Sequence, residues 1–126
     1  MKNKMVSVGT YLDVIDNSGA MVVQCLKILG GVPKRKGYVG DVVILSAVKV
    51  NPLKKIKKGD VLRGVIVSTK KSKLRHNGVL VTFDTNSVVI INAKNLPVGT
   101  RITGPVMLEL RSKQFLKVLS LAKIAI

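Results

Sequence analysis

The chain is poor in the residues from which small functional sites are usually built. It has one cysteine, one histidine, no tryptophan and six acidic residues in 126. A lone cysteine, Cys25, cannot close an intramolecular disulfide or supply a cysteine-based zinc site, so a secreted disulfide scaffold is excluded. Cys25 sits within an apolar run and reads as a small core hydrophobe. Uninterrupted apolar runs are short, as in Val88-Val89-Ile90-Ile91, against the roughly 20 residues of a spanning helix. No P-loop, dinucleotide fingerprint or metal-ligand spacing occurs. His76 stands beside Asn77-Gly78 at a predicted hairpin tip, with no local acid to orient it as a general base. Asp16, Asp41 and Asp60 all fall at turns, where a carboxylate bonds its own backbone. The residues therefore predict no enzyme, no cofactor, no metal and no small-molecule substrate.

What the chain does have is positive charge. Twenty-two Lys and Arg against six Asp and Glu give a formal net charge of +16, in a chain that is 47% hydrophobic. Such a domain repels itself unless it lies against a polyanion, and nucleic acid is the usual one. The charge is concentrated: residues 34–75 hold thirteen basic side chains and two acidic ones, Asp41 and Asp60. Three clusters account for most of it, Lys34-Arg35-Lys36, Lys54-Lys55-Ile56-Lys57-Lys58 and Lys70-Lys71-Ser72-Lys73-Leu74-Arg75. One such cluster reads as a solvated loop; three at successive predicted loops read as phosphate contacts. The candidate contact residues are Lys34, Arg35, Lys36, Lys54, Lys55, Lys57, Lys58, Lys70, Lys71, Lys73 and Arg75. With only four aromatics (Tyr11, Tyr38, Phe83, Phe115) the chain cannot stack a succession of bases. Lysine-rich loops suit the backbone of folded, helical RNA, which they grip by charge and shape with little sequence reading.

Short β-type runs separated by turn signals fill the first ninety or so residues. Tyr11–Ile15 leads into the turn cluster Asp16-Asn17-Ser18-Gly19-Ala20, and Met21–Leu29 continues to Gly30-Gly31. Gly-Asp-Val precedes a strand twice, at Gly40-Asp41-Val42 and Gly59-Asp60-Val61, one turn chemistry used twice. Val61–Thr69 is expected to pair with Val79–Phe83 across the Asn77-Gly78 tip, and Val88–Asn92 closes the set. Beyond Asn92 the pattern changes: Gly104-Pro105 would open a short helix at Pro105, and Ser112 would cap a second carrying Phe115, Leu116 and Leu119. The expected fold is mainly β: a small closed five-stranded barrel with hairpin extensions and a short C-terminal helical region. It is expected as one domain over 1–126, the barrel at about 1–92 and loops and short helices at about 93–126. The strand pattern predicts Val22, Leu26, Ile44, Val65, Val67, Val81, Val89 and Ile91 as core.

Several stretches, taken in order, resemble one family. Asp16-Asn17-Ser18-Gly19-Ala20, Lys27-Ile28-Leu29-Gly30-Gly31, Val39-Gly40-Asp41 and Lys57-Lys58-Gly59-Asp60-Val61 match its first half. Gly64-Val65-Ile66-Val67 through Asn77-Gly78 and Phe83 to Asn86 and Val89-Ile90 is the most specific stretch. Gly99-Thr100-Arg101-Ile102, Gly104-Pro105, Leu110-Arg111 and Leu119-Ser120-Leu121-Ala122 resemble its C-terminal region. The chain is similar, over nearly its whole length, to the universal ribosomal large-subunit protein number fourteen. It departs at His76-Asn77-Gly78, where bacterial members usually carry a Pro-Asp-Gly-type tip, and at Lys34-Arg35-Lys36, which lacks their adjacent arginine pair.

The resemblance implies an architectural role: binding large-subunit rRNA and facing the small subunit, whose rRNA it meets across an inter-subunit bridge. It implies large-subunit proteins number three and nineteen as neighbours. It also implies a docking surface for a ribosomal silencing factor at Thr100, Arg101 and Lys117, which from spacing alone are ordinary solvated residues. Seventeen lysines against five arginines fit an AT-rich coding genome. With the divergent loops, this leans the expected location to the large subunit of a mitochondrial ribosome, a bacterial or plastid one remaining open. The N-terminal Met1-Lys2-Asn3-Lys4-Met5 has neither a signal-peptide core nor an Arg- and Ser-rich transit segment, so the chain acts where it is made or a targeting segment has been removed. The rival reading is a free-standing RNA-binding translation or assembly factor. A membrane-surface role would want a basic amphipathic helix bearing Trp or Phe.

Overall fold

A computed structural model describes residues 6–29, 36–70, 73–74, 78, 80–81, 83, 85–111, 115–122 and 125–126. Along the described residues run the strands β1 (Val6–Ser7), β2 (Tyr11–Val14), β3 (Ala20–Ile28), β4 (Lys36–Gly37), β5 (Val42–Val50), β6 (Val61–Ser68), β7 (Lys73–Leu74), β8 (Leu80–Val81) and β9 (Ser87–Ile91). A 3-10 turn at Leu108–Arg111 and the helix α1 (Leu116–Leu121) follow. Five strands close into a barrel in the order β2-β3-β5-β6-β9. Neighbours are antiparallel except β9, which completes the barrel parallel to β2. The pairs β1–β4 and β7–β8 form small sheets outside it. This is the mainly β, five-stranded closed barrel that the sequence pattern predicts.

One turn design starts three of the five barrel strands. In Tyr38-Val39-Gly40-Asp41 the Asp41 N–H donates to the Tyr38 carbonyl (3.1 Å) and the Tyr38 N–H donates to Asp41 Oδ2 (2.8 Å). Lys57-Lys58-Gly59-Asp60 repeats both bonds, at 3.1 and 2.9 Å. Ser7-Val8-Gly9-Thr10 repeats them again with the Thr10 hydroxyl in place of a carboxylate, at 3.0 and 3.1 Å. The glycine sits at φ near +91° each time, a conformation open to a residue without Cβ. Each glycine N–H also donates, at 2.8 Å, to a carbonyl in a neighbouring strand: Gly9 to Cys25, Gly40 to Ile66, Gly59 to Ala47. The sequence shows two of these copies; the third is hidden because its last residue is threonine.

Register separates the two faces of the wall. Leu12, Val23 and Ala47 pair in one row, Ile28, Val43, Gly64 and Ile90 in another, and these fill the interior with Cys25 and Leu45. The opposite face carries the rows Tyr11–Gln24–Ser46–Val61 and Lys27–Ile44–Arg63–Ile91. The expected core was therefore placed on the outer face for β3 and β5: Val22 and Ile44 are half-buried and Leu26 is 44% exposed. The face of Met21–Leu29 that was expected to be core belongs outside, and Val23 and Cys25 lie within. Bulges explain the rest. A shift between Cys25 and Lys27 lets Cys25 and Ile28, three positions apart, both point inward. Val65, Val67, Val89 and Ile91 are buried as expected; the Val81 side chain lies outside the described residues.

Val65, Val89 and Ile91 lie on the outer face of β6 and β9 and are buried nonetheless, and the C-terminal segment pairs alongside these strands and adds its apolar residues to the same core. Ile91 pairs with Pro97, the Val98 N–H donates to the Ile90 carbonyl (3.0 Å), and the Met107 N–H donates to the Val67 carbonyl (2.9 Å). Ile102 and Val106 bridge onward to Ala122 and Ala125. Three local expectations are corrected. Leu80–Val81 pairs with Lys73–Leu74 rather than with Val61–Thr69. β6 instead takes β9, whose five residues are all buried, a run suited to cover on both faces. Pro105 does not start a helix: Val106 forms a bridge and the 3-10 turn begins at Leu108. The last helix is capped by Phe115 without a side-chain bond; Ser112 lies outside the described residues.

Candidate nucleic-acid interface

Between β5 and β6 the chain turns through Asn51–Asp60 on the outside of the barrel. Asn51 Oδ1 accepts the Leu53 N–H (3.0 Å), and the Asn51 N–H donates to the Gly19 carbonyl (2.8 Å), hanging the loop on the first turn. The approach there is close: a Cβ on Gly19 would stand 2.6 Å from Lys54 Cβ. Lys54, Lys55, Lys57 and Lys58 are all exposed on this loop, and Leu53 is 90% exposed. Asp60 spends Oδ2 on the Lys57 backbone N–H, at 2.9 Å, as part of the turn. The loop is a rigid frame that presents ammonium groups to solvent.

The other clusters are seen in part. Lys36 and Lys70 are exposed, and the Lys70 N–H donates to Asn86 Oδ1 (2.8 Å). Lys73 lies in β7, with its side chain outside the description. Lys34, Arg35, Lys71, Arg75 and His76 lie outside the described residues.

Thr100, Arg101 and Lys117 are exposed. A residue not singled out by its pattern fixes the first two. Asn17 Oδ1 accepts the N–H groups of Thr100 (2.8 Å) and Arg101 (3.1 Å), and Asn17 Nδ2 donates to Thr100 Oγ1 (2.9 Å). Asn17 is thus a buckle between the first turn and the C-terminal segment. Its position in Asp-Asn-Ser-Gly marks a turn, but nothing local marks a partner so distant in the chain. Lys117 rides on α1, whose following residue Ala122 bridges to Ile102, next to Arg101.

Next to the buckle, Asp16 anchors the same turn to the wall. Its Oδ1 accepts the Ser18 N–H (3.1 Å) and hydroxyl (2.6 Å), and its Oδ2 accepts the Ile90 N–H (3.0 Å). Burial pushes its carboxyl above the ordinary value, and the bonds from Ser18 and Ile90 oppose that shift without cancelling it. Burial likewise pushes the Cys25 thiol up, as suits an interior hydrophobe.

These elements enclose a groove of about 430 Å³ between the first turn, the basic loop and the C-terminal segment. Lys54, Lys55, Ile56, Val98 and Thr100 are among its walls. Two sets that are separate in the sequence, the lysine loop and the Thr100 segment, therefore share one surface. Among the described residues no group of three His, Cys, Asp or Glu is placed to hold a metal ion. The site is one of charge and shape on a stiff frame. The family model described as Ribosomal protein L14p/L23e matches residues 5–126, spanning the barrel, the basic loop and the C-terminal segment together. The chain belongs to this family, whose members are structural proteins of the large ribosomal subunit.

Proposed function

We propose that the chain holds its place in the large subunit by gripping rRNA phosphates with its basic loops, and turns the Thr100–Arg101 surface toward the small subunit. The observation that carries this reading is the Lys54–Lys58 loop: four exposed lysines on a framed loop whose own acid is committed to the turn. Lys36 and Lys70 extend the same contact, and Lys34, Arg35, Lys71, Lys73 and Arg75 are proposed to join it. The partners proposed with it are large-subunit rRNA, large-subunit proteins number three and nineteen, small-subunit rRNA across a bridge, and a ribosomal silencing factor at Thr100, Arg101 and Lys117. The proposed location is a mitochondrial ribosome, on the strength of the lysine excess.

The test is the salt dependence of binding to a folded rRNA fragment. Each phosphate neutralised contributes about 0.7–0.9 to the log–log slope. Replacing Lys54, Lys55, Lys57 and Lys58 with Gln flattens the slope while thermal melting is unchanged; an unchanged slope returns the loop to plain solvent. Because Lys54 and Lys55 also line the groove, the pair Lys57→Gln, Lys58→Gln is measured separately. Arg101→Glu leaves large subunits assembled and weakens capture of the silencing factor, since a reversed charge repels. Retention of the chain on large subunits through a high-salt gradient separates this reading from a free-standing factor, which washes off.

A further inference from the structure

The loops do not account for the part of the barrel wall that no described residue covers. On β2, β3, β5 and the start of β6 the outer face carries Tyr11, Gln24, Ser46 and Val61 in one register row. The next row holds Lys27, Ile44 and Arg63. Tyr11 is 61% exposed and Val61 67%, and Leu26 stands out at the β3 bulge, 44% exposed. The rows span three strand spacings, about 14 Å, and lie about 7 Å apart along the strands. Lys27 and Lys49 are exposed on this face, against one exposed acid, Asp13. Arg63 reaches the Asn95 Oδ1 with Nη2 (3.2 Å), and its Nε is buried without a hydrogen-bond partner.

We propose that this face is a second RNA contact, one that holds a short unpaired RNA segment with one base stacked on Tyr11, the adjoining phosphate against Lys27 and a later phosphate toward Arg63. The proposal rests on the RNA-binding reading above and gives it a different kind of partner site. Charge complementarity selects the occupant: an exposed aromatic ring with Lys27 on the neighbouring strand, on a face that also carries Lys49 and Arg63, fits a base and the phosphates beside it, and a flat sheet face cannot reach bases enclosed in a duplex. Four aromatics in the chain are too few for a run of stacked bases, but a single exposed ring serves a single base. Gln24 and Ser46, beside Tyr11 in the row, offer amide and hydroxyl groups to the base edge.

The chain carries its own probe. It has two tyrosines and no tryptophan, so in a Tyr38→Phe variant all tyrosine emission comes from Tyr11. Titration with oligouridylate, which has no folded structure, is expected to quench that emission saturably. Tyr11→Ala is expected to weaken oligouridylate binding about tenfold, with Tyr11→Phe close to the parent and binding to a duplex RNA of equal length unchanged. Absence of quenching, or an equal loss on duplex and single strand, overturns the proposal. So does release of a protein, rather than loss of RNA affinity, when Tyr11→Ala is introduced into large subunits. If folded rRNA binds with the loop-dependent salt slope while oligouridylate leaves Tyr11 emission unchanged, this inference fails and the loop reading stands. The reverse pattern sinks the loop reading alone.

Discussion

Ile44 and Ile91 stand in the same register row on the outside of the barrel, with Arg63 between them. Ile44 is half-buried, whereas Ile91, beside which Pro97 pairs, is 2% exposed. The wall itself treats the two alike; what differs is whether a later part of the chain returns alongside it. The C-terminal segment joins its own apolar residues to the core on the β6–β9 side, and no described residue covers the outer face of β2, β3 and β5.

The contrast is broken most directly at those two isoleucines. Ile91→Ala is expected to cost about 2–5 kcal/mol, from lost transfer energy and a residual cavity, and Ile44→Ala about 1 kcal/mol or less. The midpoint of urea unfolding decides, and equal losses would mean that the C-terminal segment is not what buries β9. Gly64→Ala tests the point where β6 passes under cover: the added Cβ would stand 2.7 Å from Leu45 Cδ1 and 3.1 Å from the Val89 carbonyl oxygen. Overpacking of that kind costs about 1–3 kcal/mol, read from the same transition.

Smaller effects sharpen the seam between the two sides. Asn17→Ala removes three bonds to the Thr100–Arg101 segment at an exposed site, an expected loss of about 1 kcal/mol. Faster amide exchange at Thr100 and Arg101, with exchange in β9 unchanged, is the accompanying sign. The smallest effect belongs to Asp16. Its native carboxyl titrates above its unfolded value of 3.8, so the native state binds the proton more tightly. Its titration favours the fold fully below pH 3.8 and loses that contribution as pH rises through the raised native value. Asp16→Asn removes this gain: between pH 6 and pH 3.5 the variant's melting temperature is expected to fall further than the parent's, on the order of a degree or two. Parallel pH profiles would show that Asp16 titrates alike in both states.

Turn chemistry was the legible part of this molecule. Asp16-Asn17-Ser18-Gly19 and the two Gly-Asp steps announce their turns in the chain, and the short strands between them suffice for the barrel. The faces of β3 and β5 were not legible, because apolar residues occupy both: Val22 and Val23 are neighbours of one type, and the Leu26 bulge reverses the alternation midway. Only tertiary cover distinguishes Ile44 from Ile91. At the interface, exposure of the lysine loop follows from its charge, but its meeting with Thr100 depends on Asn17 bonding to residues far along the chain. Short-range pattern carries no trace of such a contact.

The three repeated turns set an order for folding on a chain that is still being made. The turn at Ser7–Thr10 hangs on Cys25, and that at Tyr38–Asp41 on Ile66, so each must wait for a strand not yet synthesised. The turn at Lys57–Asp60 hangs on Ala47, which has already emerged. The β2–β3 hairpin can close once Ile28 is made, the β5–β6 hairpin is the next pair that can close on its own, and its loop is the one that carries Lys54, Lys55, Lys57 and Lys58. Local closure of this kind involves the smallest entropic penalty and proceeds before distant strands pair. The lysine loop is consequently framed on the nascent chain well before β9 arrives to shut the barrel.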